Sequence, residues 1–355
     1  MVVRRARPHP YWAMKRLLSL LMIAASFAVP AAAPAQAAAP SIPRACALPA
    51  ADHGYGLITL PGPGLTTLYA LTSQARVSLD LVIYELSDPT ELADLAAAAA
   101  RGVSVHVILD YAYSGHYVNA PAYAYLRAHR VAVAWAPAST IVHEKALAVD
   151  GTCAAIGTGN LTPRYYSSTR DYWVVDTHPN EVAAIAATAR ADFARPSLAP
   201  AVPAGNLLYS PGAETPLVRL IDSATRSVTF ESEELDEAYI VDALAADARR
   251  GLSCTVVMVD SSSWHSAFAT LAAAGCAIRL YSPSSGLYIH AKTIVVDPGT
   301  THARVFVGSQ NASYSSLMYN RELGLVLTAQ TAPVLVRSLA ASVATDAARA
   351  PMTYR

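Results

Sequence analysis

Lysine stands at only three positions of this chain, Lys15, Lys145 and Lys292, among 26 lysines and arginines in all. Two of the three follow a histidine by two residues. "IVHEKALAVDG" places Lys145 after His143, and "YIHAKTIVVDPG" places Lys292 after His290. Residues two apart in a strand project from one face, so each pair presents an imidazole and an ammonium side by side. An imidazole can attack, accept a proton or donate one, and an ammonium neutralises anionic oxygen. In a composition this rich in Arg, the rare Lys marks a place where a compact point charge suits the chemistry better than a planar fork. Glu144, between His143 and Lys145, falls on the opposite face and is expected to have no catalytic role.

The sequel to each pair repeats as well. Asp150 or Asp297 closes the strand, a further strand enters "GTGN" (157–160) or "GSQN" (308–311), and an acid, Asp171 or Glu322, comes eleven residues after Asn160 or Asn311. If the two copies meet, one cleft gathers two imidazoles, two ammonium groups, two amides and two carboxylates. That set suits a phosphodiester. Lys145 and Lys292 would neutralise the non-bridging oxygens while Asn160 and Asn311 donate hydrogen bonds to them. One histidine would attack phosphorus as the other protonates the leaving oxygen, and water would then reverse the exchange. Asp171 and Glu322 would each hold one imidazole in the right tautomer. This chemistry calls for no metal and no cofactor.

Behind these residues lies a larger repeat. "RVSLDLVIYELSDPTELADLAAAAARGVSVHVILD" (76–110) matches "RSVTFESEELDEAYIVDALAADARRGLSCTVVMVD" (226–260) in hydrophobic layout and punctuation. Each reads as a strand ending in Glu85-Leu86 or Glu234-Leu235, an Ala/Leu helix stopped at Arg101-Gly102 or Arg250-Gly251, and a second Val-rich strand. Strand, helix, buried strand is the grammar of an α/β sandwich with parallel pairing. Prolines and glycines in "ARPSLAPAVPAGNLLYSPG" (194–212) read as the connector, giving one lobe over 47–195, a linker over 196–205 and a second lobe over 206–350.

The doubled "HEKALAVD…GTGN" and "HAKTIVVD…GSQN" resemble the phospholipase D superfamily, whose signature is HxKxxxxD followed by a turn bearing Asn. The resemblance implies an α/β fold, a duplicated phospholipase D fold of two pseudo-twofold-related α/β/α sandwich lobes with mixed sheets. It also implies a phosphohistidine on His143, with His290 as the acid and Asp150 and Asp297 as structural residues.

Composition bounds the rest. The chain is 53% hydrophobic and 15% charged with a net charge of zero, which excludes intrinsic disorder and a global basic field for nucleic acid. Arg4, Arg5, Arg7, Lys15 and Arg16 precede the apolar run Leu17 to Val29, with small residues at Ala35-Gln36-Ala37. This reads as a signal peptide over 1–37, an Ala/Pro-rich leader over 38–46 and export or periplasmic residence. Four cysteines in an oxidising compartment then pair. Cys254 with Cys276 is preferred, since they stand at either end of one strand-helix-strand unit, leaving Cys46 with Cys153. The expected substrate is a glycerophospholipid, cleaved by a secreted, monomeric phospholipase D that touches the membrane surface transiently. A secreted nuclease is the alternative, with Arg164, Arg170 and Arg321 binding phosphates, and cardiolipin-synthase-like transfer comes third. The tyrosine-rich stretch 111–125 reads as a loop that lines a headgroup pocket or serves for packing.

Overall fold

The computed structural model describes residue 46 and residues 52–354, apart from 114, 196 and 285. The expected signal peptide, and the leader apart from Cys46, lie outside the described residues. The first sheet is built from β1 (Tyr55–Leu60), β2 (Ser78–Ile83), β3 (Ser104–Leu109), β4 (Ala132–Trp135), β5 (Lys145–Val149), β6 (Cys153–Gly157) and β7 (Thr169–Asp176). The second is built from β8 (Leu207–Ser210), β9 (Ser227–Ser232), β10 (Ser253–Val259), β11 (Ala277–Tyr281), β13 (Lys292–Val296), β14 (Arg304–Gly308), β15 (Glu322–Thr328) and β16 (Met352–Thr353), while the short β12 (Tyr288–Ile289) crosses over to β7 of the first.

Both sheets are mixed. Their orders are β1-β7-β6-β5-β2-β3-β4 and β16-β11-β10-β9-β13-β14-β15-β8. The runs β2-β3-β4 and β9-β10-β11 are parallel, and β5 and β13 insert antiparallel beside β2 and β9. This is the duplicated α/β architecture that the repeat implied. The hydrogen-bond register refines the repeat, because Ile83 lies opposite Lys145 and Ser232 opposite Lys292. Ser78 therefore corresponds to Ser227, so the second block begins one residue earlier than the sequence blocks suggest, and β10 carries the compensating extra residue.

Each sheet has an outer core and shares an inner one. Leu79, Leu81, Val107, Leu147 and Val149 pack under the helices Leu65–Ser73 and Pro89–Ala100, while Val228, Phe230, Val256, Ile294 and Val296 pack under Glu214–Asp222 and Ala238–Arg249. The opposite faces meet in a third cluster, where Ala146, Ile156 and Val174 join Val295, Val305 and Leu325 with the helices Pro179–Phe193 and Pro333–Arg349. Strands β5 and β13 are buried on both faces, which explains their uninterrupted apolar runs.

Local signals account for the element ends. Asp88 caps the helix Pro89–Ala100 by accepting from the N–H groups of Thr90 and Glu91, and Gly102 and Gly251 take the left-handed backbone after the Arg-Gly stops at φ 91° and 85°. Disulfides join Cys46 to Cys153 and Cys254 to Cys276, the pairings the sequence favoured. Two expectations need correction. The connector is irregular only up to β8, where Leu207–Ser210 pairs with β15 as an edge strand. The stretch 111–125 is not a loop throughout, because Pro121 sits in the first turn of the helix Ala120–Ala128 and buried Asn119 anchors that turn to the Leu86 N–H and the Tyr84 carbonyl.

Candidate active site

The segments leading into β5 and β13 place the two histidines, and each runs along the other sheet. His143 N–H donates to the Arg321 carbonyl at 2.9 Å, just before β15, and Arg321 N–H returns a bond to Ile141 at 2.9 Å. In the same way β12 pairs with Thr169 and Arg170 of β7, and His290 N–H donates to the Arg170 carbonyl at 3.2 Å. Each histidine therefore stands beside the acid of the other repeat. His143 Nδ1 lies 2.8 Å from Glu322 Oε2, and His290 Nδ1 lies 2.8 Å from Asp171 Oδ1. The linear repeat leaves open which acid serves which histidine, and the folded chain crosses them. The acids are fixed in turn, Asp171 by Thr158 Oγ1 at 2.6 Å and Glu322 by Ser316 Oγ at 2.6 Å and Asn320 at 3.2 Å. With Nδ1 committed as the N–H donor, Nε2 of each ring is left to the chemistry.

Burial sets the charges of the first half-site. It pushes His143 down to about 4, more strongly than Glu322 pulls it up, so that imidazole is neutral at pH 7. Lys145, fully buried, is lowered by the same cause to about 7 and lies 4.9 Å from the ring centroid of Tyr84. Tyr84 also meets His143 edge-on at 4.6 Å. Burial would raise Glu322, but the adjacent His143 holds its carboxyl below the ordinary value.

The motif aspartates sit at the far ends of β5 and β13. Asp150 and Asp297 adopt left-handed backbone at φ 53° and 47°, a conformation that costs a non-glycine residue roughly 1 kcal/mol. Fans of hydrogen bonds offset the cost. Asp150 accepts from the N–H groups of Arg76, Val77 and Ser78 at 2.7–3.1 Å. Asp297 accepts from those of Thr225, Arg226 and Ser227 and from Thr225 Oγ1 at 2.6 Å. They tie the start of β2 or β9 to the turn after β5 or β13, away from both histidines.

His143, His290, Asn160 and Asn311 share one cleft of about 600 Å³, and Asp171 reaches its wall. Lys145 and Lys292 lie behind the histidines, each donating from Nζ to the carbonyl of the histidine two residues before it. The Oδ1 atoms of Asn160 and Asn311 are buried without a partner. Glu322 is fully buried and bonds His143 instead of lining the cleft.

Glu233 is the lining residue that the motif reading missed. Its Oε2 lies 3.0 Å from Lys292 Nζ and 3.4 Å from His290 Nε2, and its Oε1 accepts from the Tyr288 hydroxyl at 3.0 Å. Burial would raise this carboxyl, but His290 and Lys292 together hold it well below the usual carboxylate range. The signal was in the repeat, where Glu233 stands at the position of Tyr84. The other walls carry Glu85, Glu234, Tyr113, Tyr165 and Tyr166 beside the hydroxyl residues Thr162, Ser168 and Thr169.

Two of the three arginines near the motifs are engaged elsewhere, and the third, the exposed Arg164, lies over the cleft-lining Tyr165. Arg170 is paired with Asp346 at 2.6 and 2.9 Å, and Arg321, almost fully buried, with Asp192 at 3.0 and 3.1 Å, while Arg164 stacks on Tyr165 at 4.4 Å. Glu144 faces away from the cleft, and burial, opposed by Arg321, raises it to about 8. Of the tyrosine-rich stretch, Tyr113 lines the cleft, whereas Tyr123 stacks on Trp135 and Tyr125 on His129. Among the described residues, Asp176, His178 and Glu181 bring ligand-type atoms within 4.8 Å of one another at the far end of β7. Glu181 there already accepts from Tyr55 and Asn206.

The model of the "Cardiolipin synthase, PLD-like domain" family matches residues 68–195 and 217–342. No curated protein matches the chain. Phosphatidylserine synthase of Haemophilus influenzae Rd KW20 superposes with a TM-score of 0.63 at 11% identity, over 85% of this chain and 87% of that one. Polyphosphate kinase of Porphyromonas gingivalis gives 0.62 at 15% identity over 82% of this chain, which spans only 50% of the kinase. A phospholipase D family member of Salmonella typhimurium, Nuc, shares 25% identity over 42% of this chain and 96% of its own, with a TM-score of 0.37. The two longer superpositions carry the same fold.

Proposed function

The chain belongs to the phospholipase D superfamily, and from that premise we propose that it is a metal-independent phosphodiesterase, a secreted phospholipase D that hydrolyses glycerophospholipids to phosphatidate and a free headgroup. The observation that carries the choice of substrate is the character of the cleft walls. Glu85 and Glu234 with five tyrosines surround the histidines, Glu233 is held by Lys292 and Tyr288, and Arg170 and Arg321 are consumed by Asp346 and Asp192. A polyanionic nucleic-acid backbone needs basic groups along its track. A single phosphodiester whose leaving group is cationic meets carboxylates and aromatic faces that suit an ammonium. The disulfides and the N-terminal charge-then-apolar pattern support export to an oxidising compartment.

In the first step, neutral His143 attacks phosphorus through Nε2 while Glu322 stabilises the charge that grows on its ring. His290 gives its Nε2 proton to the departing headgroup oxygen. Lys145, Lys292 and the two asparagine amides stabilise the oxygens around phosphorus. In the second step His290 takes a proton from water, which displaces His143 and releases phosphatidate. An alcohol in place of that water gives headgroup transfer, so products rather than rates separate the two fates.

The test is to assay the purified mature protein in EDTA against phosphatidylcholine vesicles, DNA and bis(p-nitrophenyl) phosphate. Turnover of the vesicles and of the nitrophenyl ester is expected. DNA cleavage without lipid turnover would overturn the substrate, and loss of all activity on chelation would overturn the metal-free mechanism.

A further inference from the structure

Tyr84 and Glu233 occupy one position in two copies of the frame, directly after β2 and β9, and they change what stands beside the imidazole. Beside His143 the neighbour is an aromatic ring. Beside His290 it is a carboxylate whose Oε2 lies 3.4 Å from Nε2, while Nδ1 is already committed to Asp171 at 2.8 Å. An imidazole with an acceptor oxygen at both nitrogens is arranged to carry a proton on both. A carboxylate oxygen 3.4 Å from Nε2 of His290 favours the proton there over a free lone pair, so this ring is the poorer nucleophile in the resting site.

We infer that Glu233 is a positioning residue that assigns the two histidines their roles, keeping a proton on Nε2 of His290 for the leaving oxygen and so leaving His143 to attack phosphorus. The inference rests on the phosphodiesterase reading above. Atoms and charge balance across the cycle. As the bond from His143 Nε2 to phosphorus forms, the bond from phosphorus to the headgroup oxygen breaks and that oxygen takes the Nε2 proton of His290. His290 then accepts a proton from water as its oxygen bonds to phosphorus and the P–N bond breaks, which restores the starting protonation. Oε2 lies nearer Lys292 than His290, and Tyr288 holds Oε1. The carboxylate can therefore stay on the ammonium while the leaving oxygen replaces it at Nε2.

The charged and titratable groups that face His290 are Asp171 from β7, Glu233 directly after β9, Lys292 at the start of β13 and Tyr288 on β12 at 6.4 Å between ring centroids. His143 faces it across the cleft. A pH readout is therefore paired with one that depends on the leaving group. An alkoxide headgroup needs a proton on departure, whereas p-nitrophenolate barely does. In Glu233→Gln, kcat on phosphatidylcholine should fall about 10- to 100-fold, at least ten times more than on bis(p-nitrophenyl) phosphate. The alkaline limb of the phosphatidylcholine profile should move to lower pH, and Glu233→Asp should recover part of the loss. By NMR of the substrate-free protein, the His290 ring should titrate at lower pH in Glu233→Gln than in the wild type.

Equal losses on both esters with an unmoved alkaline limb and an unmoved His290 titration would overturn the inference and leave Glu233 a packing residue. A folded wild type inert towards both esters would overturn the phosphodiesterase reading instead. The His290 titration, which needs no substrate, would still decide the role of Glu233.

Discussion

The half-site around His143 is closed by the ring of Tyr84 over Lys145, whereas the half-site around His290 is closed by Glu233 bound to Lys292. Everything beneath is shared: a strand buried on both faces, an aspartate fan at its far end, a lysine bonded to the histidine carbonyl and a carboxylate borrowed from the other repeat. Duplication delivers two equal imidazoles, but displacement at phosphorus needs two unequal ones, a neutral attacker and a proton donor. The inequality comes from a residue outside the repeated motif. In the first half-site burial wins and His143 falls to about 4. In the second, carboxylates meet both ring nitrogens.

The largest effect should separate the histidines. His143→Ala is expected to lose more than the roughly 10⁴-fold that general acid–base catalysis alone supplies and to form no acid-labile phosphoprotein. His290→Ala should lose about 10²- to 10⁴-fold on phosphatidylcholine, yet accumulate phosphoprotein from the nitrophenyl ester, because the water of the second step then lacks its base. Trapping by an alkaline denaturing quench reads both outcomes, and the reverse pattern breaks the comparison.

The crossed carboxylates sharpen it. Glu322→Gln should approach the roughly 10⁴-fold cost of removing the carboxylate behind a catalytic histidine, and Asp171→Asn should cost less, since Glu233 still faces His290. Equal losses in kcat would mean that the wall residue does not distinguish the two sites. A smaller loss, about 10²-fold, is expected from Tyr84→Glu, which copies the second half-site onto the first. A carboxylate beside His143 raises its proton affinity, so the acid limb of the pH–rate profile should rise from near 4. An unmoved acid limb would show that the rings are insensitive to this position.

How much of this could be read in the sequence depends on distance along the chain. The His-x-Lys pairs, the capped helices and the Arg-Gly stops are local, and strand and helix periodicity exposes them directly. The pairing of Cys254 with Cys276 follows from a single strand-helix-strand unit. The crossing of Asp171 to His290 and of Glu322 to His143 is not local, because it depends on β12 and the segment before β5 reaching the other sheet. Arg170 and Arg321 looked available for phosphate because Asp346 and Asp192 lie 176 and 129 residues away along the chain. Glu233 is a break in the repeat, opposite Tyr84 once Glu85-Leu86 is set on Glu234-Leu235, but only the folded chain shows that this position lies beside His290. In 111–125 the count of tyrosines outweighed Pro121 and Asn119, which start a helix.

The two lobes differ once more, far from the cleft, and there the contrast bears on stability. In the outer core of the first, Thr72 Oγ1 donates to Glu91 Oε1 at 2.6 Å, both side chains buried and Glu91 Oε2 without a partner. The corresponding helix positions of the second lobe hold Ile221 and Ile240, both fully buried. Burial raises Glu91 to about 8 from an ordinary value of 4.5. Below the ordinary value both folded and unfolded chains carry the proton. Between there and about 8 only the unfolded chain gives it up, so the contribution of Glu91 to stability is lost as pH rises through this window. Thr72→Ile alone should destabilise by about 1–3 kcal/mol, because it strips the carboxyl of its hydroxyl partner. Thr72→Ile with Glu91→Ile should instead be neutral or stabilising by up to about 4 kcal/mol, with its advantage over wild type growing between pH 5 and pH 8. Denaturant unfolding at the two pH values measures the difference. A gain independent of pH would mean that Glu91 is ionised in the folded protein, and that the polar pair in the first lobe stands on the same footing as the isoleucines in the second.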